Sequence, residues 1–282
     1  MNTVHTIKET REQIKAWRKE GLSIGFVPTM GFLHQGHESL IKKAAAENDR
    51  VVVSIFVNPT QFGPTEDFAA YPRDLKKDEE LCKAAKAALI FNPTAEEMYF
   101  KDANTSVNVT GLSEGLCGAK RPVHFGGVCL VVSKLFNIVT PDRAYFGEKD
   151  AQQLAVIKAM VRDLNFDIDI VGCPIVREID GLAKSSRNTY LSEEERQAAL
   201  ILSMSLNKAK DALSAKEKNA NFINEIIVNT LKSEPLAKID YVEIVDISDL
   251  KPVAIINSSI LVAIAVYIGK TRLIDNFTWE VK

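Results

Sequence analysis

The run Val51-Val52-Val53-Ser54-Ile55-Phe56-Val57 has no polar face when extended. A strand alternates its side chains between two faces, so this one must be buried on both sides. A sheet with helices on each face provides that cover. The neighbouring segments agree with it. Thr6 to Lys19 has helical spacing, Ser23 to Val27 reads as a strand, and Glu38 to Asn48 as a helix. Asp74 to Ala87 reads as a helix and Ala88 to Phe91 as a second buried strand. Gly126 to Val139 (helix), Ala144 to Phe146 (strand), Asp150 to Leu164 (helix) and Ile168 to Val176 (strand) continue the alternation. The expected fold is α/β, a doubly wound parallel sheet, with ligands at the carboxyl ends of its strands.

The character changes after Asn188. Ser192-Glu193-Glu194-Glu195 has the spacing of a capping box, Ser192 as N-cap and Glu195 at the third helical position. One long helix is expected from there to about Ala212, and another from Asn219 to Leu231. Three strand-like runs close the chain: Ile239 to Ile247, Ser258 to Ile268 and Thr271 to Asn276. Helices followed by consecutive strands predict a smaller C-terminal α+β domain. The expected domains are therefore 1–176 and 177–282.

Composition narrows the class. The formal charge of −2 gives no reason to expect a nucleic-acid-binding face. No apolar run reaches membrane-spanning length, so no membrane partner is expected. The first residues are charged throughout and lack an apolar secretory core, which argues for a cytoplasmic protein. Cys82, Cys117, Cys129 and Cys173 show no C-x-x-C spacing and read as reduced, buried thiols.

Five segments carry chemistry. The first is Pro28-Thr29-Met30-Gly31-Phe32-Leu33-His34-Gln35-Gly36-His37, a glycine-containing turn between a strand and a helix. A helix N-terminus offers unpaired N–H groups and partial positive charge, which suits phosphate. His34 and His37 can add donors to the same anion. They could also merely cap the turn, or ligate a metal, although zinc would need a third protein ligand that is not nearby. The second is Ala183-Lys184-Ser185-Ser186-Arg187-Asn188, able to clamp phosphates by charge-assisted hydrogen bonds or to be a solvated basic turn. The third is Phe146-Gly147-Glu148-Lys149-Asp150, a strand-to-helix turn with Gly147 at the bend and Asp150 a candidate N-cap. The fourth is the loop Asn58 to Arg73, containing Asn58 and Gln61 directly after the most buried strand. The fifth is Arg121 to Gly127, in which His124 could simply enter a helix.

Together the pieces PTMGFLHQGH, FVNPTQFGPTEDFAAYPRD, GAKRPVHFGGV, YFGEKDAQQL and GLAKSSRNTYLS, ending in the run Arg272 to Asn276, resemble the pantoate–β-alanine ligase (pantothenate synthetase) family over nearly the whole chain. That family is grouped with the class I aminoacyl-tRNA synthetases and other nucleotidylyltransferases. HQGH then looks like their HIGH motif and KSSR like their mobile KMSKS loop. The resemblance implies a Rossmann-like N-terminal domain, a lid-like C-terminal domain and a homodimer. It implies ATP as substrate with Mg2+, and a pantoyl-adenylate intermediate that β-alanine converts to pantothenate.

The resemblance also implies roles. His34, His37, Lys149, Ser185, Ser186 and Arg187 would stabilise charge on the phosphates. Met30, Gly31, Phe32, Leu33, Gln35, Gly36, Gly147, Glu148, Asp150, Val176 and Lys184 would complete the ATP site, with Asp150 and Gly147 toward the ribose and Val176 toward the adenine edge. Gln61, Gln153, Met30, Pro28 and Asn58 would hold pantoate, and Gln61 would lie near β-alanine. The metal ligands are left unknown. The chain departs from the family's common pattern at Lys184, where Met is usual, and at Phe32, Val123 and Gly126. Two other readings stay open on sequence alone: a nucleotidyltransferase with a phosphate acceptor, and a catalytically silent nucleotide-binding protein.

Overall fold

The computed structural model describes residues 1–64 and 66–281. Thr65, within the predicted loop Asn58 to Arg73, and Lys282, the end of the predicted second domain, lie outside the described residues. The chain forms two compact units, interleaved in sequence. The first comprises Met1–Thr110, Arg121–Glu148 and Gln153–Pro174; the second comprises Gly111–Lys120, Lys149–Gln152 and Ile175–Lys282.

In the first unit, β1 (Asn2–Val4) leads into α1 (Ile7–Lys19), and β2 (Ile24–Thr29) into α2 (Gln35–Glu47). Then come β3 (Arg50–Ile55), α3 (Leu75–Ala84), β4 (Leu89–Phe91) and the short α4 (Ala95–Met98). The one-turn α5 (Leu116–Lys120) belongs to the second unit. α6 (His124–Val139), β5 (Arg143–Gly147), α7 (Ala151–Asp163) and β6 (Asp169–Cys173) follow. The six strands are all parallel, in the order β1-β4-β3-β2-β5-β6. Strand order reverses between β2 and β5, which makes that junction the switch point of a doubly wound sheet.

β2 and β5 pair only at Gly25–Arg143 and Phe26–Ala144, whereas β2 stays paired with β3 through Thr29. From Val27 onward β2 is therefore unpaired on its β5 side. Pro28 falls in this stretch, where its missing N–H removes no ladder bond to β5. The sheet is buried on both faces, as the absence of a polar face on β3 requires: Val51, Val52 and Val53 are almost wholly inaccessible. Val27, Leu33, Ile41, Val53 and Ile90 pack with Tyr145 in one core cluster. Phe26 stacks edge-on to Phe136 of α6 at 6.4 Å.

The second unit holds α8 (Glu193–Ala198), α9 (Leu200–Ser214) and α10 (Ala220–Lys232), then β7 (Ala237–Asp246), β8 (Ile260–Ile268) and β9 (Thr271–Trp279). These strands form an antiparallel sheet in the order β7-β8-β9, and its core includes Leu206, Ile223, Ile227, Val262, Ile264 and Phe277. The capping box at Ser192 and Glu195 is present, with both bonds made. The single helix expected from it is instead two. Leu202 N–H reaches back only to Ala199 at 3.2 Å, a tight turn that separates α8 from α9. α2 also starts earlier than predicted, at Gln35 rather than Glu38, because a histidine caps it. The four cysteines are unpaired with one another; Cys82, Cys129 and Cys173 are buried and Cys117 is half-buried. Burial pushes the Cys82 thiol up to about 12, and the Cys129 and Cys173 thiols up to about 11.

Candidate active site

His34 stands in extended conformation at the N-cap of α2, and its Nδ1 accepts the Gly36 N–H at 3.1 Å. His37, at the third helical position, accepts the His34 N–H on its own Nδ1 at 3.3 Å. This is a capping box built from two histidines, where Ser or Thr and Glu are the usual pair. Both Nδ1 atoms act as acceptors, so the hydrogen-bond network assigns each neutral ring's proton to Nε2. Each Nε2 is thereby a donor, and the ring centroids lie 4.1 Å apart. The capping role and a donor role are compatible, because they use different ring nitrogens.

The turn before α2 reverses through Gly31 (φ 83°) and Phe32 (φ 51°), both in the left-handed region. A Cβ on Gly31 would lie 3.0 Å from both Asp78 Oδ2 and Ile55 Cγ2, so the position suits glycine on space as well as angle. Asp78, from α3, is 2% exposed and accepts the Phe32 N–H at 2.8 Å and the Leu33 N–H at 2.6 Å. Burial pushes its carboxyl pKa up, against the lowering effect of these two bonds. The backbone donors of Phe32 and Leu33 therefore point inward at Asp78. Sequence reasoning missed this residue: among Lys76, Lys77, Glu79 and Glu80, it reads as one more charge on a solvated helix face.

At the end of β3 the side chains form a saturated amide network. Asn58, 1% exposed, donates through Nδ2 to Gln61 Oε1 at 3.0 Å and to Gly127 O at 3.1 Å. Its Oδ1 accepts from Tyr99 Oη at 2.7 Å, Thr60 Oγ1 at 3.0 Å and Thr60 N at 3.3 Å. This assigns Gln61 its orientation, with Nε2 as the donor, 3.1 Å from Met30 Sδ. Met30 and Gln61, one from each loop, are thus brought together. His124 opens α6 and meets the Gln61 carbonyl through Nδ1 at 3.0 Å. A carbonyl only accepts, so here Nδ1 carries the proton, opposite to His34 and His37. Gly127 admits the loop, since a Cβ there would collide with the Thr60 oxygen. The loop is further tied by Glu66 and Arg121 at 2.8 and 2.6 Å.

In the first unit, then, Pro28 lies near the end of β2 with Met30 and the histidine turn after it, Asn58 and Gln61 follow β3, and Gly147 ends β5 with Glu148 after it. Gln153 lies half-buried on α7. Its neighbour Gln152 is the fully engaged amide, donating to Leu112 O and Gly115 O at 3.0 and 2.8 Å and accepting Cys117 N–H at 2.9 Å.

The second unit carries Lys149, Asp150, Val176 and Lys184 to Arg187. Lys149 Nζ is 3.8 Å from Asp150 Oδ2. Residues 176–184 fold back on themselves, with Lys184 N–H donating to Val176 O at 2.9 Å and Glu178 N–H to Leu182 O at 2.8 Å. Val176 therefore has its carbonyl engaged. Lys184 Nζ pairs with Glu178 at 2.7 Å, which neutralises its charge. Ser185 caps the 3₁₀ turn Ser186–Tyr190 by accepting Arg187 N–H at 3.3 Å, and Ser186 is buried. Among the described residues no cluster of three or more His, Cys, Asp or Glu could hold a metal ion, and no helix is long and apolar enough to cross a membrane.

Residues 2–278 match the family model described as pantoate-beta-alanine ligase. The chain is 68% identical over 277 residues to the pantothenate synthetase of Clostridioides difficile (strain 630), covering 98% of each chain. It is 66% identical over 277 residues to that of Enterococcus faecalis (strain ATCC 700802 / V583), again 98% of each. The crystal structure of pantothenate synthetase from Thermus thermophilus superposes with a TM-score of 0.92 at 44% identity, over 98% of this chain and 99% of that one. That of pantoate-beta-alanine ligase from Francisella tularensis, complexed with beta-gamma ATP and beta-alanine, gives 0.79 at 37% identity, over 98% and 97%. The chain belongs to the pantoate–β-alanine ligase family.

Proposed function

We propose that the chain joins pantoate to β-alanine in two steps driven by ATP. A pantoate carboxylate oxygen attacks the α-phosphorus, and the bond to pyrophosphate breaks, giving pantoyl adenylate. The β-alanine amine, after losing its ammonium proton, attacks the acyl carbon and AMP leaves with the bonding pair. Neither step needs a nucleophile from the protein; positioning and electrostatics suffice.

The observation that carries this reading is the reciprocal histidine cap, which makes His34 and His37 Nε2 donors at a helix N-terminus. Their task is to meet negative charge gathering on the phosphoryl oxygens, and removing one such donor typically costs ~10²–10³ in rate. Lys149, Ser185, Ser186 and Arg187 serve the same charge, with Gly147, Glu148 and Asp150 toward the ribose and Val176 toward adenine. In the turn, Met30, Gly31, Phe32, Leu33, Gln35 and Gly36 shape the approach to ATP. Gln61 and Gln153 hold pantoate by amide hydrogen bonds, which leave its carboxylate nucleophilic where an ion pair would blunt it. Met30 and Pro28 form an apolar wall. Asn58 acts through Gln61, since its amide is already spent within the protein. Gln61 also borders the β-alanine site. The Francisella tularensis relative was crystallised in complex with beta-gamma ATP and beta-alanine, which supports both substrates.

Mg2+ would arrive on the triphosphate, keep several waters and neutralise phosphate charge. We assign ATP and pantoate chiefly to 1–176, the KSSR loop to 177–282, and a cytoplasmic homodimer as the working form.

The test is incubation with ATP, pantoate and β-alanine followed by separation of the nucleotides. AMP and pyrophosphate that form only with pantoate, together with pantothenate, support the reading. ADP and phosphate, or no turnover with ATP binding retained, overturn it.

A further inference from the structure

We propose that Asp275 and Asn276, neighbours on β9, are positioning residues that hold the two basic loops of the second unit in catalytic register. This rests on the adenylate-forming reading, in which Lys149 and residues 184–187 meet the triphosphate.

Successive residues of a strand point to opposite faces of the sheet. On β8, Val262, Ile264 and Val266 belong to the helix-covered core, and their register partners on β9 are Phe277, Asp275 and Leu273. Asp275 is thus a carboxylate on the core face, only 2% exposed. It accepts a two-pronged bond from Arg177 at 2.7 and 2.8 Å, and Arg177 donates onward to Gly181 O at 3.0 Å. The fold-back loop 176–184, which leads directly into Ser185, Ser186 and Arg187, is therefore anchored to β9 at its base and its bend. The hydrogen bond to Asp275 also raises the pKa of the Arg177 guanidinium.

Asn276 projects from the other face. Its Nδ2 donates to the backbone oxygen of Lys149 at 2.8 Å, and it is 6% exposed. Two loops far apart in sequence are thus fastened to adjacent residues of one strand, whose Cα atoms are held about 3.8 Å apart by a single peptide unit. β9 is stiffened along its length by pairing with β8 from Thr271 to Trp279. A small cleft is lined by Lys149, Ala183, Ser185 and Asn188 together with Ile274 and Asp275, so the two loops and the strand share one recess. Neither side chain need touch substrate; each sets where a neighbouring cation or hydroxyl stands.

The two half-reactions separate this role from general support of the fold. Pyrophosphate leaves in the first, so displacing the phosphate-binding loops should impair the first far more than the second. In Asn276→Leu, of similar size but without a donor, pantoate-dependent ATP–pyrophosphate exchange should fall ~10²-fold, the scale of a misplacement near 1 Å. Aminolysis of separately supplied pantoyl adenylate by β-alanine should fall far less, within about 10-fold, since no pyrophosphate is held there and only the contacts to the adenylate itself are disturbed. Asn276→Gln, which keeps the amide donor, should recover part of the exchange rate, and it carries the test if Asn276→Leu does not fold. Asp275→Asn, with its charge removed, should show the same split. Equal loss in both half-reactions, or unchanged exchange in a folded variant, overturns the proposal. A wild-type chain without pantoate-dependent exchange overturns the adenylate reading itself, and this assignment with it.

Discussion

His37 Nδ1 accepts the backbone N–H of His34 at 3.3 Å, so one histidine fixes the start of the helix that carries the other. Removing the ring should therefore cost catalysis more than fold. We expect His37→Ala to lower kcat by ~10² or more. The cap lost with it is worth about 1 kcal/mol. Steady-state kinetics beside a thermal melt checks both; near-normal turnover would remove His37 from the catalytic group.

Gly127 lets α6 approach the loop after β3, and any side chain there collides with main chain, since a Cβ would lie 2.5 Å from the Thr60 carbonyl carbon and 2.6 Å from Gln61 Cα. Gly127→Ala must shift the Thr60–Gln61 backbone, and with it the amide that meets Met30. The variant should lose about 1–3 kcal/mol of stability, the usual cost of overpacking. KM for pantoate should rise roughly 10-fold or more, on the scale of a displaced positioning group. Unchanged pantoate kinetics in that variant would show that the loop's position does not govern the acid.

Asp78 carries opposite signs for structure and charge. Its two bonds to the Phe32 and Leu33 N–H groups hold the left-handed turn, and Asp78→Ala would orphan both donors at about 1–3 kcal/mol each. Its folded pKa is raised above 3.8 by burial, so the native state binds the proton more tightly than the unfolded one. Its tighter proton binding therefore contributes stability that is fully present below that value and is lost as pH rises through the folded pKa. The stability gap between wild type and Asp78→Asn, from urea unfolding at several pH values, should narrow from acid toward neutral. A gap that widens would reverse the sign.

Glu66 behaves in the opposite sense. The Arg121 hydrogen bonds, the largest cause, hold its folded pKa below 4.5. Its contribution is present above that value and lost as pH falls through the lowered one. The pair is partly exposed, so after solvent screening it is worth ~0.5–1 kcal/mol. Glu66→Gln should melt slightly lower than wild type at neutral pH, and the two melts should converge in acid. A constant offset would mean that charge is not what Glu66 contributes.

What could be read from the sequence was local. β3 announced itself because Val51 to Ile55 leave no polar face, and Ser192 with Glu195 because a capping box has fixed spacing. The strand–helix junction at Pro28 to His37 was legible for the same reason. β1 escaped notice because Asn2–Val4 is too short and too exposed for alternation to register. The break at Ala199 escaped because apolar spacing runs through it uninterrupted. The unforeseen site contacts are long-range: Asp78 lies 46 and 45 residues from the amides it accepts, and Gln152 reaches 35 to 40 residues back. No local pattern marks either, since a surface carboxylate and a helix amide look alike whether or not something is waiting opposite them.

The bond from Asn276 to the Lys149 carbonyl spans 127 residues, and it dates the assembly of the protein. A chain leaves the ribosome N-terminus first, and its early segments fold as they emerge. The parallel sheet is complete once β6 has been made. Gln152 can already meet Leu112, Gly115 and Cys117 by then, but the Lys149 carbonyl must wait for β9 before its partner exists. Lys149 is thus synthesised midway and anchored almost last. A nascent or prematurely terminated chain can own every strand of the large sheet and both histidines while still lacking a fastened lysine, so activity should switch on only with the final residues.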